Sequence, residues 1–225
     1  IFLSKLRCFD KTHVTDEDKS RGNLYKSESK RIKLKQQLKS LSDWIKTLNL
    51  TIVIENIKNE NTPRAVQLFN KTNQMNLSTR RLSEQEFNHW VKVDSNNLWT
   101  IRAADKFGDY GIIGILSIST KNNIATLVDF ILSCRVVGRY IEETMIEFLK
   151  EFCQENNVNK IKGKYKKTDK NSLCYNFLNK LQLIDNNQYS FEFPSNKKKL
   201  NLLNITIKKP TYKEKIDVSK NIMAK

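Results

Sequence analysis

Short apolar runs alternate with stretches of helical period along most of the chain, and the two spacings together predict an α/β protein. "LTIVIENI" at 50–57 reads as a strand, and "TPRAVQLFNKTNQ" as a helix with Pro63 in its first turn. "SEQEFNHWVKV" is a second helix, opened by the capping box Ser83…Glu86. "LWTIRAADK" and "GIIGILSIST" are strands joined by "FGDYG", whose glycines, with Asp105 and Asp109, suit a hairpin. "IATLVDFILS" is almost wholly apolar, as a central strand must be. A helix over about 139–156 puts Ile141, Met145, Phe148, Leu149 and Phe152 on one face. The strand "KIKGKYKK", the helix "NSLCYNFLNKLQL" and the strands "QYSFEF" and "LLNITIKK" follow. Ahead of all these, "THVTDEDKSRGNLYKSESKRIKLKQQLKSLSDWIKTLN" reads as helices, with Thr15 as an N-cap and acids in the first turn. From 210 to 225 the composition predicts a mobile basic tail.

A length of 225 residues suffices for one main domain with appendages. The net charge of +16 raises the question of nucleic acid. Yet the 25 Asn and the excess of Lys over Arg fit AT-rich coding equally well, and the cations are dispersed, denser only at 20–46 and 197–225. A basic surface equally suits an acidic protein partner or a phosphorylated ligand, so charge alone does not decide, and the nucleic-acid reading lacks interleaved aromatics or a motif. No apolar run nears the roughly 20 residues of a membrane span. Cys8, Cys134, Cys153 and Cys174 form no CxxC pair, which fits a reducing, cytoplasmic setting. His13 and His89 have no ligand company, so no metal is inferred. The first residue, Ile1, suggests a piece of a longer chain.

One stretch combines elements that hold phosphate. "FILSCRVVGRYIEETMIEFL", 130–149, runs from a strand through a basic turn into a helix N-terminus. Gly138 lets backbone N–H groups converge on phosphate oxygens, and Arg135 and Arg139 add charge. Tyr140 stands where such loops want a small residue; its ring fills space, although its hydroxyl can donate. Glu142 and Glu143 stabilise the helix start but compete with an incoming anion for the same positive end.

The element order β-α-α-β-β-β-α-β-α-β-β, with that turn between the fourth strand and third helix, resembles the GNAT acyltransferase fold over about 50–208. The resemblance implies a mixed sheet of about seven strands flanked by helices, preceded by an N-terminal helical extension. The family's Arg/Gln-x-x-Gly-x-Gly/Ala motif is matched at Arg135, Val136, Val137, Gly138 and Arg139, but not at Tyr140. A later family motif is eroded. Asn171 is kept, while Cys174 and Phe177 replace an Ala and an aromatic, and Leu178, Gln182 and Leu183 stand in the Tyr, Gly and Phe places.

A narrower resemblance covers five collinear blocks: "FDKTHVTDEDKSRGNLY", "LFNKTNQMNLSTRR", "DKFGDYGIIGI", "FILSCRVVGRYIEE" and "GKYKKTDKN". Their order and spacing are similar to those of FkbH-like proteins, which join a haloacid-dehalogenase-type domain to a GNAT-like one. That implies residues 1–49 as the trailing helices of a missing first domain and 50–209 as the GNAT-like domain. "DEDKS" is only superficially like the dehalogenase aspartate loop, because "FDKTHVT" is no buried strand; Asp16 and Asp18 read as helix-start residues. The implied activity is transfer of an acyl unit, glyceryl in that family, on coenzyme A or a phosphopantetheinylated acyl carrier protein. A non-catalytic carrier-docking module is the alternative.

The implied cofactor site is Ser133, Cys134, Arg135, Val136, Val137, Gly138, Arg139, Tyr140 and Asn171, with the pantetheine arm along "IATLVDFILS". Acyl transfer needs a base and an acid. Asp129 is the base candidate or else a structural carboxylate, and Cys134 is an acyl carrier or else an inert thiol. The family's Tyr acid falls on Leu178, which cannot donate; Tyr165 and Tyr175 are the spare candidates. "KTNQMNLSTRR" is dense in hydrogen-bonding groups, and Asn73, Gln74, Asn76, Thr79, Arg80 and Arg81 border the acceptor side or else build a capped polar loop.

Overall fold

The computed structural model describes residues 21–181, 190–194 and 205–210. Thr15, Asp16 and Asp18, Cys8, His13, Gln182, Leu183, the outer parts of the last two predicted strands and the tail from 211 lie outside the described residues.

Two helices come first, α1 (Arg21–Gln37) and α2 (Leu41–Leu48). The Ser40 hydroxyl accepts from the Asp43 N–H at 3.1 Å to cap α2, and Asn49 ends it in the left-handed region. The strands are β1 (Thr51–Asn56), β2 (Met75–Asn76), β3 (Asn96–Asp105), β4 (Gly108–Lys121), β5 (Ile124–Leu132), β6 (Lys160–Lys164), β7 (Ser190–Pro194) and β8 (Thr206–Lys208). The later helices are α3 (Thr62–Lys71), α4 (Glu84–Val91), α5 (Ile141–Glu155) and α6 (Ser172–Lys180). Pro63 sits in the first turn of α3, and the Ser83–Glu86 capping box is formed at α4.

The order is the one the sequence predicts, with the two-residue β2 added. Seven strands run β7-β6-β5-β4-β3-β1-β8, and β2 joins at β5. Pairing is antiparallel except for β5–β6 and β1–β8. Alternation along the strands, reset in β4 by a bulge at Ile113, sends Ile113, Leu116, Phe130 and Leu132 to the face covered by α5 and α6. Ile112, Ile115 and Ile131 go to the face of α3 and α4. Edge-to-face contacts of Trp99 with Phe148 and Phe152 lock α5 to β3.

The parallel pair β5–β6 positions the site. These strands are hydrogen-bonded only from Ile124–Leu127 to Lys160–Gly163, and beyond that they part. The opening is closed by the chain itself. Met75 and Asn76 pair with Leu132 and Ile131 of β5, the Leu77 N–H donates to the Phe130 carbonyl, and the Lys166 N–H donates to the Leu77 carbonyl. The expected route of a pantetheine arm along the end of β5 is therefore corrected. Its amides would need the backbone groups that Met75–Leu77 already hold.

Helices α1 and α2 pack onto this body. Trp44, Ile45 and Leu48 are buried with Leu34, Leu38, Phe107 and Tyr140 against them. No helix among the described residues is long and apolar enough to cross a membrane.

Candidate functional site

Between β5 and α5 the chain makes one 3-10 turn, Cys134–Val136, before Gly138 and Tyr140 take left-handed conformations at φ 77° and 61°. Val136 is fully buried and anchors the turn to the core; it offers a ligand nothing. Gly138 is exposed, and a Cβ built on it would meet nothing within 4 Å, so the loop surface there is open. Its N–H, however, is already engaged. It donates to Glu142 Oε1 at 2.7 Å. Glu142 is 3% exposed, and its Oε2 has no hydrogen-bond partner. Burial pushes this carboxyl up to about 7, against the opposing pull of the Gly138 and Glu142 backbone N–H groups. Glu143, one residue on, turns instead toward Lys180 at 3.7 Å. Of the two acids expected to compete with an anion, Glu142 does so from inside.

Arg139 leaves the loop in the other direction. It is 4% exposed, donates to the Tyr110 hydroxyl, and pairs with Glu28 Oε1 of α1 at 2.7 Å. The Tyr110 hydroxyl in turn donates to Asp105 at 2.6 Å, and Arg31 of α1 clasps Asp105 through Nε at 2.7 Å and Nη2 at 2.8 Å. Burial raises Asp105, but Arg31, Tyr110 and the Phe107 N–H outweigh it and hold the carboxyl below its usual range. Arg139 is thus an internal tie rather than a phosphate ligand, and Asp105 does more than shape a hairpin. Tyr140 faces the Trp44 cluster, not the loop's open side. Glycine there would relieve about 1 kcal/mol of left-handed strain but forfeit that packing. Tyr140→Gly is expected to change the unfolding free energy by less than about 1 kcal/mol in a denaturant titration.

Asp129 is fully buried, and four donors saturate it. Ser78 Oγ at 2.7 Å and Arg80 Nε at 2.8 Å reach Oδ1, while Arg80 Nη2 and Ser117 Oγ reach Oδ2. Ser117 faces Asp129 directly across β4 and β5, and Arg80 also lies over the Trp90 ring at 4.8 Å. No lone pair is left to take a substrate proton, so the base reading is corrected to that of a structural counter-ion.

The acceptor-side group divides. Asn76 is buried; its amide donates to the Thr72 carbonyl and its oxygen accepts from the Thr79 N–H, with Thr79 itself left-handed at φ 53°. Arg81 caps the end of α3 on the Phe69 and Thr72 carbonyls and bonds Asn73. Arg80 belongs to Asp129. Of the six, Asn73 and Gln74 line the cleft described below, while Arg81 is exposed outside it.

Asn171 is buried too. Its amide donates to the carbonyls of Asn76 at 3.1 Å and Lys166 at 2.8 Å, and its oxygen accepts from Tyr165 OH at 2.7 Å and the Thr168 N–H at 2.8 Å. It fastens the segment that fills the strand opening, and both ends of its side-chain amide are engaged there. Tyr165 is held in that knot, Tyr175 packs beside it, and Leu178 is buried in the core. Cys153 and Cys174 are buried thiols pushed up to about 12 by that burial, whereas Cys134 is exposed.

Ser133, Cys134, Arg135, Val137, Gly138 and Arg139 do meet in one place, a cleft of about 1220 Å³. Its other walls are α1 and α2 through Glu28, Arg31, Lys35 and Trp44, α3 through Arg64 and Lys71, Tyr110, and the 169–172 turn. Cations dominate the lining: Arg31, Lys35, Arg64, Lys71, Arg135, Arg139 and Lys170 against Glu28 and Asp169. The contributions of α1, α2 and Tyr110 had no signal in sequence spacing. Among the described residues no three or more His, Cys, Asp or Glu side chains gather as a metal site would require.

No protein-family model matches the chain, and no curated protein is similar to it. Solved structures are. The spermidine N-acetyltransferase of Vibrio cholerae, in complex with coenzyme A and spermine, superposes with a TM-score of 0.50 at 14% identity, over 65% of this chain and 96% of its own. The fold is that of the GNAT acetyltransferases. A domain from Methanocaldococcus jannaschii gives a TM-score of 0.50 at 13% identity, over 64% of this chain and 97% of its own. In this GNAT fold β5 and β6 are the parting parallel pair, and the cleft lies at the loop that follows β5.

Proposed function

We propose that this chain is a GNAT-type acyltransferase domain that takes its acyl group on a phosphopantetheine thiol, borne by coenzyme A or by an acyl carrier protein. The observation that carries the reading is the basic cleft of about 1220 Å³ against the Ser133–Gly138 loop. It is large enough for an acylated arm and of the right sign for its phosphate. The FkbH-like resemblance supports the carrier-bound form, a glyceryl unit, and a haloacid-dehalogenase-type domain as covalent neighbour. A polyamine acceptor such as spermine is disfavoured here, because beyond the paired Arg31 and Arg139 the cleft is lined by Lys35, Arg64, Lys71, Arg135 and Lys170.

A second reading is favoured by particular residues. Asp129 has no free lone pair, and Leu178 stands in the core where the family places its acid. On that reading the cleft holds the arm and another domain does the chemistry.

Titration with coenzyme A and with a phosphopantetheinylated carrier protein, at low and high salt, tests the proposal. Carrier binding is expected to weaken by about tenfold or more between 50 and 500 mM salt, as cationic contacts are screened. Salt-indifferent binding, or equal affinity for random duplex DNA, would sink it. Turnover of the acyl thioester separates transfer from docking.

A further inference from the structure

The loop's phosphate seat is not open, and the group that fills it is an acid of this chain. Gly138 supplies the N–H that such a loop directs at phosphate, and here that N–H points inward to Glu142 Oε1 at 2.7 Å. Glu142 lies in the first turn of a 15-residue helix, 97% buried, with Oε2 facing no donor. A carboxylate in that place satisfies the helix's positive end from within. Once ionised, it also sets negative charge beside the loop, against a ligand's second phosphate. The outer face of the loop differs. Gly138 is exposed with empty space beside it, and Arg135, Lys71 and Lys170 stand around the same cleft. One phosphate can rest on those cations without using the N–H, whereas a second phosphate linked to it brings further negative charge toward the Glu142 carboxylate that holds the N–H.

We infer that Glu142 is a specificity-determining residue of the cleft: its carboxylate occupies the loop's phosphate seat, so the site rejects diphosphate-bearing ligands, free coenzyme A included, and admits a thiol arm ending in a single phosphodiester. The second half rests on the phosphopantetheine reading above; the first half does not. Glu142 adds no covalent step. It acts by occupancy and charge.

The test uses three probes, inorganic pyrophosphate, coenzyme A and 4′-phosphopantetheine, titrated calorimetrically at pH 8 into the whole chain and into Glu142→Gln. Glutamine keeps the shape and still accepts from Gly138, so the fold is preserved and only the charge is lost. Removing a buried charge beside an anion is expected to raise affinity for pyrophosphate and coenzyme A at least about tenfold, and for 4′-phosphopantetheine by less than about threefold. Glu143→Gln removes the same charge one residue away, on a side chain turned to Lys180, and is expected to leave that selectivity unchanged. Equal gains for all three probes, no gain for any, or the same gain from Glu143→Gln would overturn the inference. Gains for pyrophosphate and coenzyme A, with 4′-phosphopantetheine bound by neither protein, would uphold the exclusion by Glu142 and overturn the phosphopantetheine reading instead.

Discussion

Folding stability is expected to fall by about 3 kcal/mol as pH rises from the ordinary carboxyl range to neutrality, and Glu142→Gln is expected to abolish that fall. The group responsible has a folded-state value of about 7 against 4.5 in its unperturbed state, raised chiefly by burial. Between those two values the folded chain keeps the proton that the unfolded chain releases, so stability decreases with pH across the window. Below it both states are protonated and Glu142 contributes no slope; above it the full penalty persists. Asp105, whose folded value is held low, acts in the opposite sense and lower down, its stabilisation being lost only as pH falls below the ordinary carboxyl range. Chemical denaturation at pH 2, 4, 6 and 8 resolves the two. A wild-type and Glu142→Gln difference that does not change between pH 4 and pH 8 would show that the carboxyl is not held protonated by its surroundings.

Arg31→Ala is expected to destabilise the chain by about 3–5 kcal/mol, the usual loss when one partner of a buried ion pair is removed. The Arg31 and Asp105 side chains are 1% and 0% exposed, and the clasp is bidentate. Alanine would leave the Asp105 carboxylate buried with only the Tyr110 hydroxyl and the Phe107 N–H. The double replacement Arg31→Met with Asp105→Asn is expected to recover more than half of the loss, because no charge is then stranded. A loss under about 1 kcal/mol for Arg31→Ala would mean that α1 does not depend on this contact. Since residues 74 apart in sequence make the clasp, the same measurement shows whether the N-terminal helices are integral to the sheet domain.

Among the described residues every strand longer than two residues was legible from alternation or from an apolar run, and the Ser83–Glu86 box marked a helix start to the residue. These signals are local: they depend on neighbours two to four positions away. The start of α5 is two residues later than its apolar period suggests, because Tyr140 is left-handed and the first helical residue is Ile141. β6 stops at Lys164 rather than at 167, since Lys166 leaves the ladder to bond Leu77. The loop was legible as a phosphate motif, and Glu142 as a rival for its positive end. What could not be read were side chains matched across segments. Asp129 draws its donors from Ser78, Arg80 and Ser117, and nothing in the spacing of those three marks them as partners. Arg31 lies in a run of basic residues that looks uniformly solvated, yet its guanidinium is buried and clasped to a carboxylate.

The short segment that bridges the parted strands sets a clock as well as a shape. Met75–Leu77 holds its place through a few backbone bonds to β5, one from Lys166, and the amide of Asn171. Any guest wanting the end of β5 must wait for that segment to lift, a local opening independent of how often the guest arrives. Entry by that route would saturate with guest concentration at the opening rate, whereas entry through the cleft would keep rising in proportion to it. The order in guest concentration thus distinguishes the two doors without any structure of the bound state.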